Sequence, residues 1–419
     1  MAEIRTPIKQ ILLAVLLAAY ASLAFASDID SIDALKAPNT SGSIRFHGSS
    51  NGNLPGSASI SKVDVHTMLY PGSTTQVLAH YLPWWGPDPR GVDVGYRSDD
   101  PSQVRRTFAD MRSRGVNGVI VDWYGEGHYV DRAWKASMPV LAEFPQLTFA
   151  IMIDFGTFKF NACKGCDLTQ TILHHLDYVM QRYVPSRQYL RYEGKPVMFE
   201  FGMEYAGKAD WARIQAAHPE VVWIHIHAHG ANLPDSQGAF VWVDAPDDAK
   251  RLNTFYNTLT SQPSKIAVGG VWKGFDDSKA PWAASAPHLL PQDCGRTWLN
   301  AFNILNEHYS AHNQLPFLQL ITWNDYEEGS ALETGIASCT KLKARRTGQA
   351  LSLDVSYPET VDHLELYKQV DSGALQLIGR YPASTTSIRL SDTNAKAWIV
   401  KAVGKPFIEN VFSEPIVAN

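Results

Sequence analysis

Directly after an apolar run, the chain reads Leu320-Ile321-Thr322-Trp323-Asn324-Asp325-Tyr326-Glu327-Glu328-Gly329. Three carboxylates so close together repel one another and lose solvation when buried. The flanking Trp323 and Tyr326 are residues that seek cover. Acids held among covered aromatics fit chemistry better than packing. Hydrolysis of a glycosidic bond uses two carboxyl groups, one to protonate the leaving oxygen and one as base or nucleophile. Asp325 and Glu328 are the natural pair, because three residues apart in a turn they can face the same way. Held together, their repulsion raises one pKa and keeps that group protonated near neutrality. Glu327 reads as a supporting or solvent-facing residue.

Such a pair needs a scaffold. The run Phe317–Trp323 reads as a buried strand, and seven similar near-continuous apolar runs precede it: Val77–Pro83, Gly118–Trp123, Leu147–Phe155, Pro196–Phe201, Val221–His227, Phe240–Asp244 and Ile266–Trp272. Helical spacing fills most of the gaps. Val104, Phe108 and Met111 behind Asp99-Asp100-Pro101 are one case, and Trp134, Met138 and Leu141 another. Leu168, Ile172, Leu176 and Val179, then Leu252, Phe255 and Leu259, then Trp298, Phe302 and Leu305 repeat it. The stretch from Gly230 to Gly238 is short, and no clear helix follows the eighth strand. The pattern predicts an α/β fold, a (β/α)8 TIM barrel over 75–340, whose active site lies at the C-terminal ends of the strands. Those ends offer Tyr81, Trp84 and Trp85; Asp122, Trp123 and Tyr124; Asp154; Glu200; His227; Asp244; Trp272 and Lys273; and Trp323, Asn324 and Tyr326. Acids ringed by aromatics suit an uncharged polyhydroxylated ligand, since aromatic faces stack on sugar C–H faces and carboxylates accept hydroxyl hydrogen bonds.

Three spaced stretches carry a resemblance to a known group. Trp323-Asn324-Asp325-Tyr326-Glu327-Glu328-Gly329 resembles the last-strand signature of glycoside hydrolase families 71 and 99. His80-Tyr81-Leu82-Pro83-Trp84-Trp85-Gly86 and Gly118-Val119-Ile120-Val121-Asp122-Trp123-Tyr124-Gly125 are similar to the first two strands of that group. Family 71 contains α-1,3-glucanases and family 99 endo-α-mannosidases. The resemblance implies a (β/α)8 barrel acting on α-linked mannan- or glucan-type carbohydrate, with Asp325 and Glu328 catalytic. Family 99 has Glu at the position of Asp325, and family 71 usually has Gly at that of Glu327.

Two other readings compete. His225-x-His227-x-His229 places three imidazoles along one strand, and with Asp122, Asp154 and Asp244 they make a candidate metal-hydrolase site. A sugar-binding barrel without catalysis is the other. The favoured reading needs neither metal nor cofactor. A third question is internal to hydrolysis, with Glu200 as the alternative acid.

The remaining sequence sets the context. With 37 Lys+Arg against 42 Asp+Glu, the formal charge of −5 offers no basic field for nucleic acid. Arg5 and Lys9 precede an apolar run ending in Ala24-Phe25-Ala26, which predicts a cleavable signal over 1–26 and a secreted or periplasmic protein without stable membrane insertion. In an oxidising compartment the four cysteines are expected to form disulfides; three pairings are open, of which 163 with 166 and 294 with 339 is preferred. Residues 27–74, rich in Ser, Gly and Asn, read as an extended lead-in. After Thr340, period-two runs such as Leu351, Leu353 and Val355, or Trp398, Val400 and Ala402, predict a fibronectin- or immunoglobulin-like β-sandwich over 347–419. Nothing in the sequence bears on oligomeric state.

Overall fold

The computed structural model describes residues 29, 31–37, 52–54, 58–86, 94–202, 209–233, 236–243, 246–280, 283, 286–390 and 395–418. The signal stretch and Asp244 lie outside them. Eight parallel strands form the core of the first part: β1 Gln76–Tyr81, β2 Gly118–Trp123, β3 Thr148–Asp154, β4 Lys195–Phe201, β5 Val222–Ile226, β6 Gly238–Phe240, β7 Ile266–Trp272 and β8 Phe317–Ile321. Each pairs with its sequence neighbour, and β8 pairs back onto β1 with Phe317 beside Gln76 and Leu320 beside Ala79. The sheet is therefore closed, a TIM barrel. Around it run α1 Pro101–Ser113, α2 Tyr129–Leu141, α3 Leu168–Arg182, α4 Trp211–Ala217, α5 Asp248–Thr260 and α6 Arg296–His308. Asp100 caps α1 by accepting from Ser102 N–H, and Asp167 with Gln170 forms a capping box on α3.

Side chains alternate between two apolar layers. Leu78, Ile120, Ala150, Met152, Phe199, Ile224, Phe240, Val268 and Phe317 fill the barrel interior. Val77, Val119, Val121, Ile151, Met198, Trp223 and Leu318 face the helices. Both layers are apolar, which is why the strands read as continuous runs.

No eighth helix follows β8. The chain turns back on itself instead, with Leu332 N–H donating to Thr322 O (3.0 Å) and Glu333 N–H to Trp323 O (2.8 Å). Arg114, fully buried at the end of α1, holds this return segment. It donates to the carbonyls of Leu332 and Glu333, pairs with Asp110 at 2.6 Å, and lies over the rings of Trp323 and Phe407. The return is also tied by the Cys294–Cys339 disulfide. Cys163 and Cys166 form the second bridge, so the preferred one of the three possible pairings occurs.

The C-terminal part is two antiparallel sheets. One joins β9 Leu342–Thr347, β10 Ala350–Val355 and β13 Ser387–Arg389; the other is built on β11 Val361–Gln369, β12 Leu375–Pro382 and β14 Ala397–Gly404. Leu351, Leu353, Leu364, Leu366, Ile388, Trp398 and Val400 fill the space between them. The residues before β1 are more than a trailing lead-in. Ile29 pairs with Leu375, the helix Ile32–Lys36 packs Leu35 against Tyr367 and Ile399, and Val65 enters the barrel's outer layer. Scattered apolar residues in a polar stretch find cover on neighbours distant in sequence, a pattern local periodicity does not reveal.

Glu365 on β11 gathers charge. Burial opposes its ionisation, but hydrogen bonds from His363 and Tyr367, with Lys401 and Arg380 alongside, hold its carboxyl down to about 2. Asp362 first and Glu365 second raise His363 to about 9. The lowered Glu365 stabilises the fold above the ordinary carboxylate range and loses that contribution as pH falls toward 2. The raised His363 stabilises below its ordinary value and loses its contribution as pH climbs through 9. Thermal melts from pH 7 to 9.5 should show the midpoint falling in the wild type and falling less in His363→Gln; parallel slopes in the two proteins would contradict this.

Candidate active site

At the C-terminal ends of the strands opens a cleft of about 780 Å3. Its floor and walls include His80, Leu82, Trp84, Asp122, Tyr124 and Asp154, with Phe201, Trp242, Asp325 and Glu328. Alternation explains the inward set. On β1 and β2 the interior residues Leu78 and Ile120 are followed two positions on by His80 and Asp122, and on β3 Met152 is followed by Asp154.

The loop after β8 presents the acid pair through its own backbone. Thr322 Oγ1 accepts from Asp325 N–H at 2.8 Å, and Asp325 Oδ1 accepts from the N–H groups of Glu327 and Glu328, both at 3.0 Å. This side-chain turn fixes Glu328 relative to Asp325. The carbonyl of Glu328 accepts from Asp276 N–H at 2.8 Å, so the hairpin of Phe275–Asp276 and Leu289–Leu290 braces it from the β7 side. Asn324 brackets Leu82, accepting from its N–H and donating to its carbonyl at 3.0 Å each, which ties the end of β8 to the end of β1.

Electrostatics divide the acids. Burial first, then the charges of Asp325, Asp277, Asp122 and Glu327, push Glu328 well above the carboxylate range. Burial and the neighbouring Asp154 and Asp325 do the same to Asp122, opposed by a hydrogen bond from Tyr124. Asp122 Oδ1 is buried and has no hydrogen-bond partner among the described residues. Burial, with Glu200 adding to it, raises Asp154 to about 7 even though Gly156 N–H donates to it at 2.6 Å. Burial and mutual repulsion thus favour the protonated forms of Glu328, Asp122 and Asp154, which share the cleft with Asp325. Gly156 also lets Tyr124 lie against the backbone, where a Cβ would collide with its ring.

Of the residues expected at the site, Trp84, Asp122, Tyr124, Asp154, Asp325 and Glu328 meet in the cleft. Others serve the frame. Glu200 lies next to the inward Phe201, so it faces outward, where it accepts from Ile226 N–H and meets His225 Nδ1, each at 3.2 Å. By the same alternation Tyr81 and Trp123 lie in the outer layer; Trp272 at the end of β7 and Trp323 just past the end of β8 join it, although strand parity alone would turn both inward. There Trp123 donates to Asp131, and Tyr81 packs on Trp134. Trp85 donates to the carbonyl of Asn324, and Tyr326 to Glu333. Lys273 is wholly buried, its amine donating to the carbonyls of Ala331 and Gly335 and reaching Gly52 and Asn53; burial lowers it to about 7. Asp244 lies outside the described residues. The three histidines do not share a strand face, because β5 ends at Ile226 and His227 turns out of it at φ +62°. Among the described residues no three His, Cys, Asp or Glu side chains converge as a metal site.

Several cleft residues carry no strong signal in the sequence. Phe201 and Trp242 face inward by parity, and His80 stands at the end of β1. At the mouth, Tyr124, His128 and Phe160 form a ladder of near-parallel and tilted rings, with Lys159 beside it. Phe160 is 58% exposed. His128 precedes α2 and Phe160 lies on the short helix Gly156–Asn161 after β3, and no local pattern marks them as neighbours.

The fold has solved counterparts. An endo-α-mannosidase of glycoside hydrolase family 99 from Bacteroides thetaiotaomicron, in complex with bis-tris-propane, is 18% identical, aligns over 64% of this chain and 88% of its own, and superposes with a TM-score of 0.50. A second structure of that enzyme is 18% identical over 62% and 87% of the two chains, TM-score 0.49. A glycoside hydrolase-like protein is 12% identical over 62% and 87%, TM-score 0.42. No protein-family model and no curated protein matches the chain.

Proposed function

We propose that this protein is an exported glycoside hydrolase cleaving α-linked polysaccharide or oligosaccharide of the mannan or glucan type. The observation that carries the reading is the pair at the end of β8: Glu328, pushed well above the carboxylate range by burial and by Asp325, next to Asp325 itself, in a cleft walled by Trp and Tyr. Glu328 is the acid that protonates the leaving oxygen. Asp325, held by two backbone N–H groups, is the base or nucleophile facing the sugar. Asp122 and Asp154 hydrogen-bond substrate hydroxyls, and Trp84 and Tyr124 stack on sugar faces. The barrel likeness to a family 99 endo-α-mannosidase supports this assignment, and the two disulfides fit a protein that works outside the cell. Among the described residues no helix is long and apolar enough to cross a membrane.

The test is hydrolysis of α-mannans and α-1,3-glucan by the purified protein, with product anomers followed by NMR. Asp325→Asn should lose at least about a hundredfold in kcat. Glu200→Gln, altered on the outer face, should keep kcat and lower the melting midpoint. Turnover of no α-linked glycan, or activity abolished by chelator and restored by a divalent ion, would defeat the proposal.

A further inference from the structure

His80 occupies the deepest polar position of the cleft. It is inward-facing on β1, one layer below Asp122, since His80 lies beside Ile120 in the strand register. Its ring is buried, with Trp242 edge-on at 4.8 Å and Phe201 at 6.5 Å. One nitrogen, Nδ1, meets Gln319 Nε2 at 3.1 Å. The other makes no hydrogen bond among the described residues, in a ring that lines the cleft.

Gln319 is an unusual residue for its place. It is an inward-facing amide on β8, beside Leu78, in an interior otherwise packed with Phe317, Val268 and Ile120. A buried amide there costs stability unless its hydrogen bonds do something an apolar side chain cannot. Its Oε1 is buried and has no partner among the described residues. Among the described residues its one side-chain hydrogen bond is to the imidazole. An amide N–H donating to Nδ1 makes that atom an acceptor and leaves the ring hydrogen on Nε2.

We infer that His80 is a substrate-contact residue at the floor of the cleft, donating Nε2–H to a hydroxyl of the bound sugar, and that Gln319 is the positioning residue that fixes the ring for this. The inference rests on the carbohydrate reading above and adds a specificity element to it. Of the other titratable groups lining the cleft, Asp122, Asp154, Asp325 and Glu328 accept hydrogen bonds when ionised, and His128 and Lys159 also line it. His80 supplies a donor that carries no charge, because burial keeps the ring neutral, with its pKa down to about 3. A site built to donate to a hydroxyl discriminates strongly against a sugar that lacks or blocks that hydroxyl.

Long-range nitrogen–proton NMR of the full chain reads the tautomer directly. The wild type should show a neutral, Nε2-protonated His80 from pH 4 to 8. In Gln319→Glu the carboxylate would accept from Nδ1–H, so the ring should become Nδ1-protonated or doubly protonated. On the Asp325→Asn protein, saturating α-linked oligosaccharide should shift the His80 Nε2 signal. In activity, His80→Leu should lose at least about a hundredfold in kcat/KM, and His80→Asn, which keeps a donor, should recover part of it. An Nδ1-protonated ring in the wild type overturns the inference. Hydrolysis with an unmoved His80 signal and full activity in His80→Leu overturns it and leaves the hydrolase assignment standing. Failure of every α-linked oligosaccharide to bind or be cleaved overturns both.

Discussion

Glu328→Gln should lower kcat/KM on an α-linked glycan by at least about a hundredfold, and the loss should depend on the leaving group. The amide keeps the size and the backbone bracing of Glu328 by Asp276 but has no proton to give. A sugar alkoxide is a poor leaving group and needs that proton; an activated aryl leaving group needs it far less, so the deficit there should shrink to about tenfold or below. The pH profile supplies the sign. Because burial and Asp325 raise the Glu328 pKa, the acid is present at neutrality and is lost as pH climbs through the raised value. The wild type should therefore show an alkaline limb in kcat/KM that is absent from the residual activity of Glu328→Gln. An undiminished rate on natural glycan, or an unchanged alkaline limb, would move the acid role elsewhere, with Asp122 the next group to examine, since burial and its acidic neighbours raise it too.

The second large effect is on stability. Arg114→Met should cost about 3–5 kcal/mol, because the substitution strands Asp110 with a buried charge and leaves the carbonyls of Leu332 and Glu333 without a donor. Lys62 also pairs with Asp110, at a partly exposed position, and compensates only in part. Replacing both members of the buried pair, Arg114→Met with Asp110→Leu, should recover part of the loss, since an apolar pair of similar volume asks for no compensation. Urea unfolding followed by tryptophan fluorescence measures both proteins. A single variant within 1 kcal/mol of wild type would mean that the guanidinium is not what holds the return segment.

Much of the barrel is legible in the sequence because strands covered on both faces need apolar residues at every position. That same continuity hides orientation. A strand exposed on one side alternates and announces its inner face, whereas Pro196–Phe201 or Gly118–Trp123 gives no alternation to read. Hence Glu200 looks as well placed as Asp122 until the register shows Phe201 and Asp122 facing in. The acid cluster after β8 is legible because charge behind a buried strand demands a reason. Asn324 and Tyr326 stand next to it in sequence but work as its struts, a distinction made only by hydrogen bonds to Leu82 and Glu333, with distant Trp85 donating to the carbonyl of Asn324. Lys273 misleads in a similar way: a cation at a strand end suggests a ligand, and its partners are carbonyls from two distant segments.

Phe407 reaches out of the C-terminal sandwich and is buried against Trp298 and Trp323 of the barrel, while Ile336 and Phe407 pair through their backbones at 2.9 Å. The ring therefore packs on Trp323, just past β8 in the segment that leads into the acid pair. Seen as building blocks for recombination, the two halves of this chain are not interchangeable cassettes. A junction cut near Thr340 would uncover Trp323 and remove one of the two rings under Arg114. Any chimera that transplants this barrel must bring the Phe407 loop with it, and a homologous sandwich can be exchanged only if it offers a ring at that place.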